Sequence, residues 1–193
     1  MRKLLASGWE ADDEETTRVD ALEGMTHRVA LYPGSFDPVT LGHLDILERA
    51  CVLFDRVVIA VLENPAKATL FTAEERLELL RQSVRADAGV EITTFAGLTV
   101  ECAAAYGASV IVRGLRAVSD FETEFQMTLM NRRLAPSVDT IFLMTSFSNL
   151  FISSSIIKEV CRFGGDVAEL VPPASATAMR RKFDLPGDPP DKA

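Results

Sequence analysis

The chain has 193 residues, 48% of them hydrophobic and 25% charged, the make-up of an ordinary globular domain large enough to bury a substantial core. Its net charge of −8 belongs to the ends: residues 1–24 hold seven acidic and three basic side chains and residues 184–193 three and one, which leaves 18 acids and 16 bases in 25–183. A nearly neutral core without a broad basic face argues against a nucleic-acid partner, and the longest strongly apolar run, Val57 to Leu62, is far too short to span a bilayer.

Residues 1–24 include Asp12-Asp13-Glu14-Glu15 and little apolar periodicity. They read as a flexible acidic extension, with Met25 immediately ahead of the first strand. Arg2 and Lys3 are not followed by a sustained apolar stretch, so the start makes a poor secretory signal. The folded domain is expected over 25–183, with 184–193 a flexible tail. Within it, short Val- and Ile-rich runs at 28–32, 56–62, 90–95, 109–113 and 140–144 predict buried parallel strands.

Helical patterns separate these runs. The first carries Leu44, Leu47, Ala50, Cys51 and Phe54 on one face. The second opens in Thr72-Ala73-Glu74-Glu75, whose Thr-x-x-Glu spacing predicts a capping box. Others are expected at 99–106, ended by Gly107, and at 119–133. A further helix begins in Ser153-Ser154-Ser155 and stops near Gly164-Gly165; a last one starts at Pro172-Pro173 and ends near Phe183. This alternation predicts a single α/β domain: a Rossmann-like, doubly wound, five-stranded parallel sheet with helices on both faces and a ligand site beyond the carboxyl ends of its strands. Cys51, Cys102 and Cys161 are odd in number and far apart, which excludes a disulfide framework or a metal-ligand spacing. Each falls in a predicted helix among apolar neighbours, as free thiols of a reducing, cytoplasmic compartment do.

Polar motifs follow the predicted strands. After the first come Gly34, Ser35 and Phe36, then Thr40-Leu41-Gly42-His43 at the start of a helix. Backbone N–H groups and an imidazole at the positive end of a helix form a ready seat for phosphate. After the second strand, Asn64-Pro65-Ala66-Lys67 brings a lysine to the same rim. After the fourth, Arg113-Gly114-Leu115-Arg116 precedes Asp120-Phe121-Glu122-Thr123-Glu124; two guanidinium forks suit a phosphate clamp, and the alternative of a surface ion pair with the following acids explains Arg116 better than Arg113, which directly ends an apolar strand. After the fifth, Asn149-Leu150-Phe151-Ile152-Ser153-Ser154-Ser155 offers three hydroxyls and free N–H groups where a plain N-cap needs one.

Together these segments resemble the phosphopantetheine adenylyltransferase family of nucleotidyltransferases over residues 28–183. The Thr-x-Gly-His and Ile-Ser-Ser-Ser elements match the superfamily, and the Arg-Gly-Leu-Arg block through Glu124 matches the member. The resemblance implies AMP transfer from ATP to 4′-phosphopantetheine, giving 3′-dephospho-coenzyme A and pyrophosphate. It implies that His43 stabilises the transition state, and that Lys67 and Arg113 bind the phosphopantetheine with Ser35 and Thr99. The ATP site it implies comprises Ser35, Phe36, His43, Gly114, Leu115, Arg116, Glu124 and Asn149, Leu150, Phe151, Ile152, Ser153, Ser154 and Ser155. Asn149 departs from a position often aromatic in the family. Mg²⁺ accompanying ATP, a homohexamer and feedback binding of coenzyme A are further implications. Competing readings are a nucleotidyltransferase for nicotinamide or nicotinate mononucleotide, or a non-catalytic nucleotide-binding module. A class I tRNA synthetase shares a related Gly-His element, but the chain lacks room for a tRNA-reading domain.

Overall fold

The computed structural model describes residues 28–63, 68–85, 89–116 and 118–186. The extension expected over 1–24, Lys67 and most of the expected C-terminal tail lie outside the described residues. Five parallel strands, β1 (Val29–Gly34), β2 (Arg56–Glu63), β3 (Val90–Ala96), β4 (Val110–Leu115) and β5 (Asp139–Met144), form one sheet in the order β3-β2-β1-β4-β5. The helices are α1 (Leu41–Leu53), α2 (Ala73–Ser83), α3 (Thr99–Ala105), α4 (Val118–Leu134), α5 (Ser154–Arg162) and α6 (Pro173–Lys182). This is the predicted doubly wound α/β architecture.

The period-two alternation of the central strands divides the core. Ala30 and Tyr32 of β1 and Val57, Ile59 and Val61 of β2 join one buried cluster with residues of α1, α2, α5 and α6. Val29, Leu31, Val58 and Ala60 point the other way, onto Val100, Cys102 and Ala103 of α3. Helix α4 packs on β4 and beside α3 but leaves much of its own surface uncovered.

Caps end the helices where their chemistry requires. In α2 the Thr72 hydroxyl accepts from the Glu75 amide at 3.2 Å while the Thr72 amide donates to the Glu75 carboxylate at 2.9 Å. Gly107, with φ +65°, stops α3, and Pro173 occupies the first turn of α6 behind the cap residue Pro172. Past α6, Leu185 packs onto the core and the Pro186 carbonyl accepts from Arg180 at 2.5 and 3.1 Å.

Two strand ends differ from the sequence expectation, and both shape the site. β4 extends to Leu115, because Arg113, Gly114 and Leu115 pair with Phe142, Leu143 and Met144 of β5; the Arg-Gly-Leu segment is strand, not loop. β1 extends to Gly34 along β2, yet its last pair with β4 is Leu31 with Ile111. Pro33, which has no N–H to donate, therefore sits beyond the β1–β4 ladder. The two strands separate there, at the point where the winding of the sheet reverses, and a crevice opens.

Candidate active site

The crevice is a cavity of about 570 Å³ beyond the carboxyl ends of β1 and β4. It is lined by Ser35, Phe36, Gly42 and His43 from the first strand–helix junction, by Arg113, Gly114 and Arg116 from β4, and by Glu124 of α4. Ile152, Ser153, Ser154 and Ser155 close another side. Segments far apart in sequence thus converge, and the imidazole at 43 shares one chamber with both arginines. Leu115, Asn149, Leu150, Phe151 and Thr99 do not line it; Thr99 heads α3, beyond the neighbouring strand β3. A larger groove, about 800 Å³, lies between α2 and α6, but its walls include the ion pair of Lys182 with Glu75 at 2.8 Å and none of the candidate site residues.

His43 is the third residue of α1, and its ring closes the N-terminal capping box. The Thr40 amide donates to His43 Nδ1 at 3.0 Å, while the His43 amide donates to the Thr40 hydroxyl at 3.3 Å. Because Nδ1 accepts, the single proton of the neutral ring resides on Nε2. Burial, with the nearby positive charge of Arg116, pushes the imidazole pKa down to about 4. At neutral pH the ring is an uncharged donor with a fixed tautomer. The Phe36 ring packs edge-on against it, centroids 5.1 Å apart, and Tyr32 packs edge-on against Phe36 at 5.4 Å.

The glycines of this junction have different reasons. A Cβ on Gly34 would lie 2.9 Å from the buried Phe36 ring, so the protein itself demands glycine there. A Cβ on Gly42 would meet nothing closer than 3.6 Å. Protein packing leaves that position open, as befits a backbone approached by a ligand.

Arg113 crosses the gap between the diverging strands: its Nη1 donates to the Pro33 carbonyl at 3.3 Å, and its Nε lies 3.2 Å from Glu124. Two of its N–H groups are thereby engaged and the remainder of the fork is available to an anion. Arg116, more exposed, donates to the Ile152 carbonyl at 3.3 Å. Across the cavity the three serines divide their work. Ser153 caps α5 through the Ile156 amide at 3.1 Å, and Ser154 donates to the Pro38 carbonyl at 2.9 Å. The amides of Ser154 and Ser155 lie in the first turn of α5, where N–H groups have no intrahelical acceptor.

Several site residues escaped the sequence reading. Asp37 is buried; its carboxylate accepts from the Leu70 and Phe71 amides at 3.0 and 2.9 Å and pairs with Lys158, a cavity-lining residue of α5. The signal was available, since Lys158 stands four residues after Ser154 and so on the same helix face. Asp45 of α1 accepts from Thr145 and from the Ser146 amide at 3.0 and 2.8 Å, fixing the loop after β5. Its partners are about a hundred residues distant, and no local pattern announces them. Among the described residues no group of three or more His, Cys, Asp or Glu could hold a metal ion.

Residues 31–160 match the cytidylyltransferase-like family model. The chain is 54% identical over 160 residues to phosphopantetheine adenylyltransferase of Carboxydothermus hydrogenoformans, covering 83% of this chain and 99% of that one. It is 53% identical over 155 residues to the phosphopantetheine adenylyltransferase of Heliobacterium modesticaldum, covering 80% and 92%, and 53% identical over 157 residues to that of a Synechococcus species, covering 81% and 99%. On both grounds the chain belongs to the phosphopantetheine adenylyltransferase family, within the cytidylyltransferase-like nucleotidyltransferases.

Proposed function

We propose that this cavity transfers AMP from ATP to 4′-phosphopantetheine, releasing pyrophosphate and forming 3′-dephospho-coenzyme A. The observation that carries this reading is the convergence of the His43 imidazole, the Arg113 and Arg116 guanidiniums and the amino end of α5 on one chamber. The acceptor is already an anion at neutral pH and needs no general base. An acceptor phosphate oxygen attacks the α-phosphorus of ATP, one P–O bond forms in line as the bond to the β-phosphate oxygen breaks, and pyrophosphate takes up the electron pair. Acceleration then comes from orientation and charge stabilisation. Arg113 and Lys67 hold the acceptor phosphate, with Ser35 and Thr99 beside the pantetheine. His43 Nε2–H donates to the α-phosphoryl oxygens as they gain charge. Arg116 and the serines at 153–155 hold the β- and γ-phosphates, with Gly114, Glu124 and Phe36 completing the part of the nucleotide site that lines the cavity.

Mg²⁺ enters with ATP. The cavity's acids are engaged, Glu124 with Arg113 and Asp37 with Lys158, so the substrate phosphates would hold the ion, which would offset their charge. Coenzyme A, which carries both the adenylate and the pantetheine parts of the product, binds the same cavity as a feedback ligand. The free cysteines, with no helix among the described residues long and apolar enough to cross a membrane, support a cytoplasmic enzyme.

The homohexamer implied by the resemblance has support in α4. Phe121, Phe125 and Leu129 recur every four residues as an exposed stripe, and Met127, Met130 and Leu134 are exposed as well. Glu122 stands near one end of the helix and Arg132 and Arg133 in its last turn. An antiparallel pairing of two copies about position 127 sets Phe125 against Leu129 and Glu122 against Arg132, a self-complementary pattern.

The test is pyrophosphate release from ATP with 4′-phosphopantetheine, nicotinamide mononucleotide or glycerol 3-phosphate as acceptor, with and without coenzyme A. Turnover is expected with 4′-phosphopantetheine alone, and inhibition by coenzyme A. Preference for either other acceptor overturns the reading.

A further inference from the structure

Arg76, on the second turn of α2, is only 4% exposed and does not line the cavity. Its guanidinium donates from Nε to the Thr72 carbonyl of its own helix at 3.3 Å, and from Nη1 to the carbonyls of Ser35 at 2.7 Å and Leu62 at 3.3 Å. The three acceptors are neutral oxygens, and among the described residues no carboxylate lies within ion-pairing distance. Withdrawing a cation from water without a counter-ion is expensive, and a neutral amide could tie two carbonyls together at lower cost. The position therefore calls for what a guanidinium has and an amide lacks: a rigid planar fork with permanent charge.

The Ser35 carbonyl explains the requirement. It belongs to the peptide that precedes Phe36, and Phe36 has φ +46°, a left-handed conformation that a bulky side chain rarely adopts. The orientation of that one peptide decides whether Phe36 keeps this conformation. Its ring in turn packs on the His43 imidazole at 5.1 Å. From Arg76 a continuous chain of contacts runs through the Ser35 carbonyl and the Phe36 ring to the face of the imidazole, while the second acceptor, Leu62, anchors the arrangement to the end of β2.

We propose that Arg76 is a positioning residue for adenylyl transfer, acting through the Ser35–Phe36 peptide to hold the His43 imidazole where it meets the transferring phosphoryl group. This rests on the activity proposed above. Lysine keeps the charge at 76 but loses the Nε donor to the Thr72 carbonyl that fixes the plane of the guanidinium and so the direction of Nη1, and Arg76→Lys isolates the fork.

The test is a double-mutant cycle in kcat for pyrophosphate release, with Arg76→Lys made alone and together with His43→Ala. The expected result is a loss of about tenfold or more in kcat for Arg76→Lys, with KM for ATP changed less than about threefold, and little further loss from Arg76→Lys once His43 is alanine. Equal fold losses in the two backgrounds overturn the proposal, and so does a variant with no cooperative thermal transition, which makes Arg76 a residue of the fold alone. A second readout is independent of any acceptor: the imidazole proton signals of His43 in the free protein shift in Arg76→Lys and stay unmoved if the proposal is wrong. Wild-type protein that releases pyrophosphate with none of the acceptors defeats the assigned activity and not this inference, because the imidazole signals still report on the contact chain.

Discussion

The imidazole of His43 is neutral because the fold makes it so, and two expectations follow from that at the level of the single residue. Burial and the charge of Arg116 lower its pKa from the usual value near 6.5 to about 4. Between those values the unfolded chain binds a proton at this ring that the folded chain refuses. Stability from this group is therefore complete above about pH 6.5 and declines as pH falls toward 4. In an imidazole titration followed by NMR on the free protein, His43 signals should stay unshifted from pH 8 down to about 5 and move only as pH nears 4; a midpoint at 6.5 refutes the buried, Arg-facing ring. Since the ring is a preorganised donor, His43→Ala should lower kcat by about 10²- to 10³-fold with a modest change in either KM. Steady-state pyrophosphate release checks it, and near-normal turnover removes His43 from the mechanism. This residue was legible in the sequence because its Gly-His pair stands at a strand–helix junction. Lys158 shares a helix face with Ser154, but its pairing with Asp37 has no meaning until α5 is folded against the loop after β1.

Among the elements, boundaries that depend on local chemistry agree with the sequence. The Thr72–Glu75 box forms both of its bonds, Gly107 and the Pro172-Pro173 pair do what their backbone freedom or constraint dictates, and Ser153 caps α5. Thr72→Ala should cost about 1 kcal/mol of stability, the usual value of a lost N-cap, measured as a lower denaturation midpoint with unchanged m-value. Strand ends were read less well for a physical reason. Where β4 stops depends on whether β5 is present to accept its hydrogen bonds, and where β1 leaves β4 depends on the separation beyond Leu31. The same dependence turns Arg113 into a bridge across the crevice, because it lies on a strand still paired on one side and released on the other.

In the molecule as a whole, the two faces of the sheet are unequally covered. One carries α1, α2, α5 and α6; the other carries α3 with α4, whose apolar residues at 121, 125, 127, 129, 130 and 134 remain exposed. The apolar residues of α4 do not share one face: one flank packs on the chain's own sheet and others are exposed, as the proposed assembly requires. Phe125→Glu places a charge in the middle of that stripe, and the assembly should dissociate to smaller species. Size-exclusion chromatography with light scattering measures this directly. An unchanged mass for the variant moves the interface elsewhere.

The sequence by itself determined what is periodic or local: the five strands, of which the edge strands β3 and β5 are half-buried and not buried, the caps, the free thiols, and the motifs that carry the family resemblance. Hydrophobic period and backbone permission are properties of a few neighbouring residues, and they need no fold to express them. Only the tertiary structure decided the tautomer and charge of His43, the pairing of Arg113 with Glu124 and of Asp37 with Lys158, and the placement of Arg76 behind Ser35. The tautomer is fixed by Thr40 close by in the chain, but the others require side chains from separate elements to be brought together and removed from water, and that happens only when the sheet forms and the strands part at its centre.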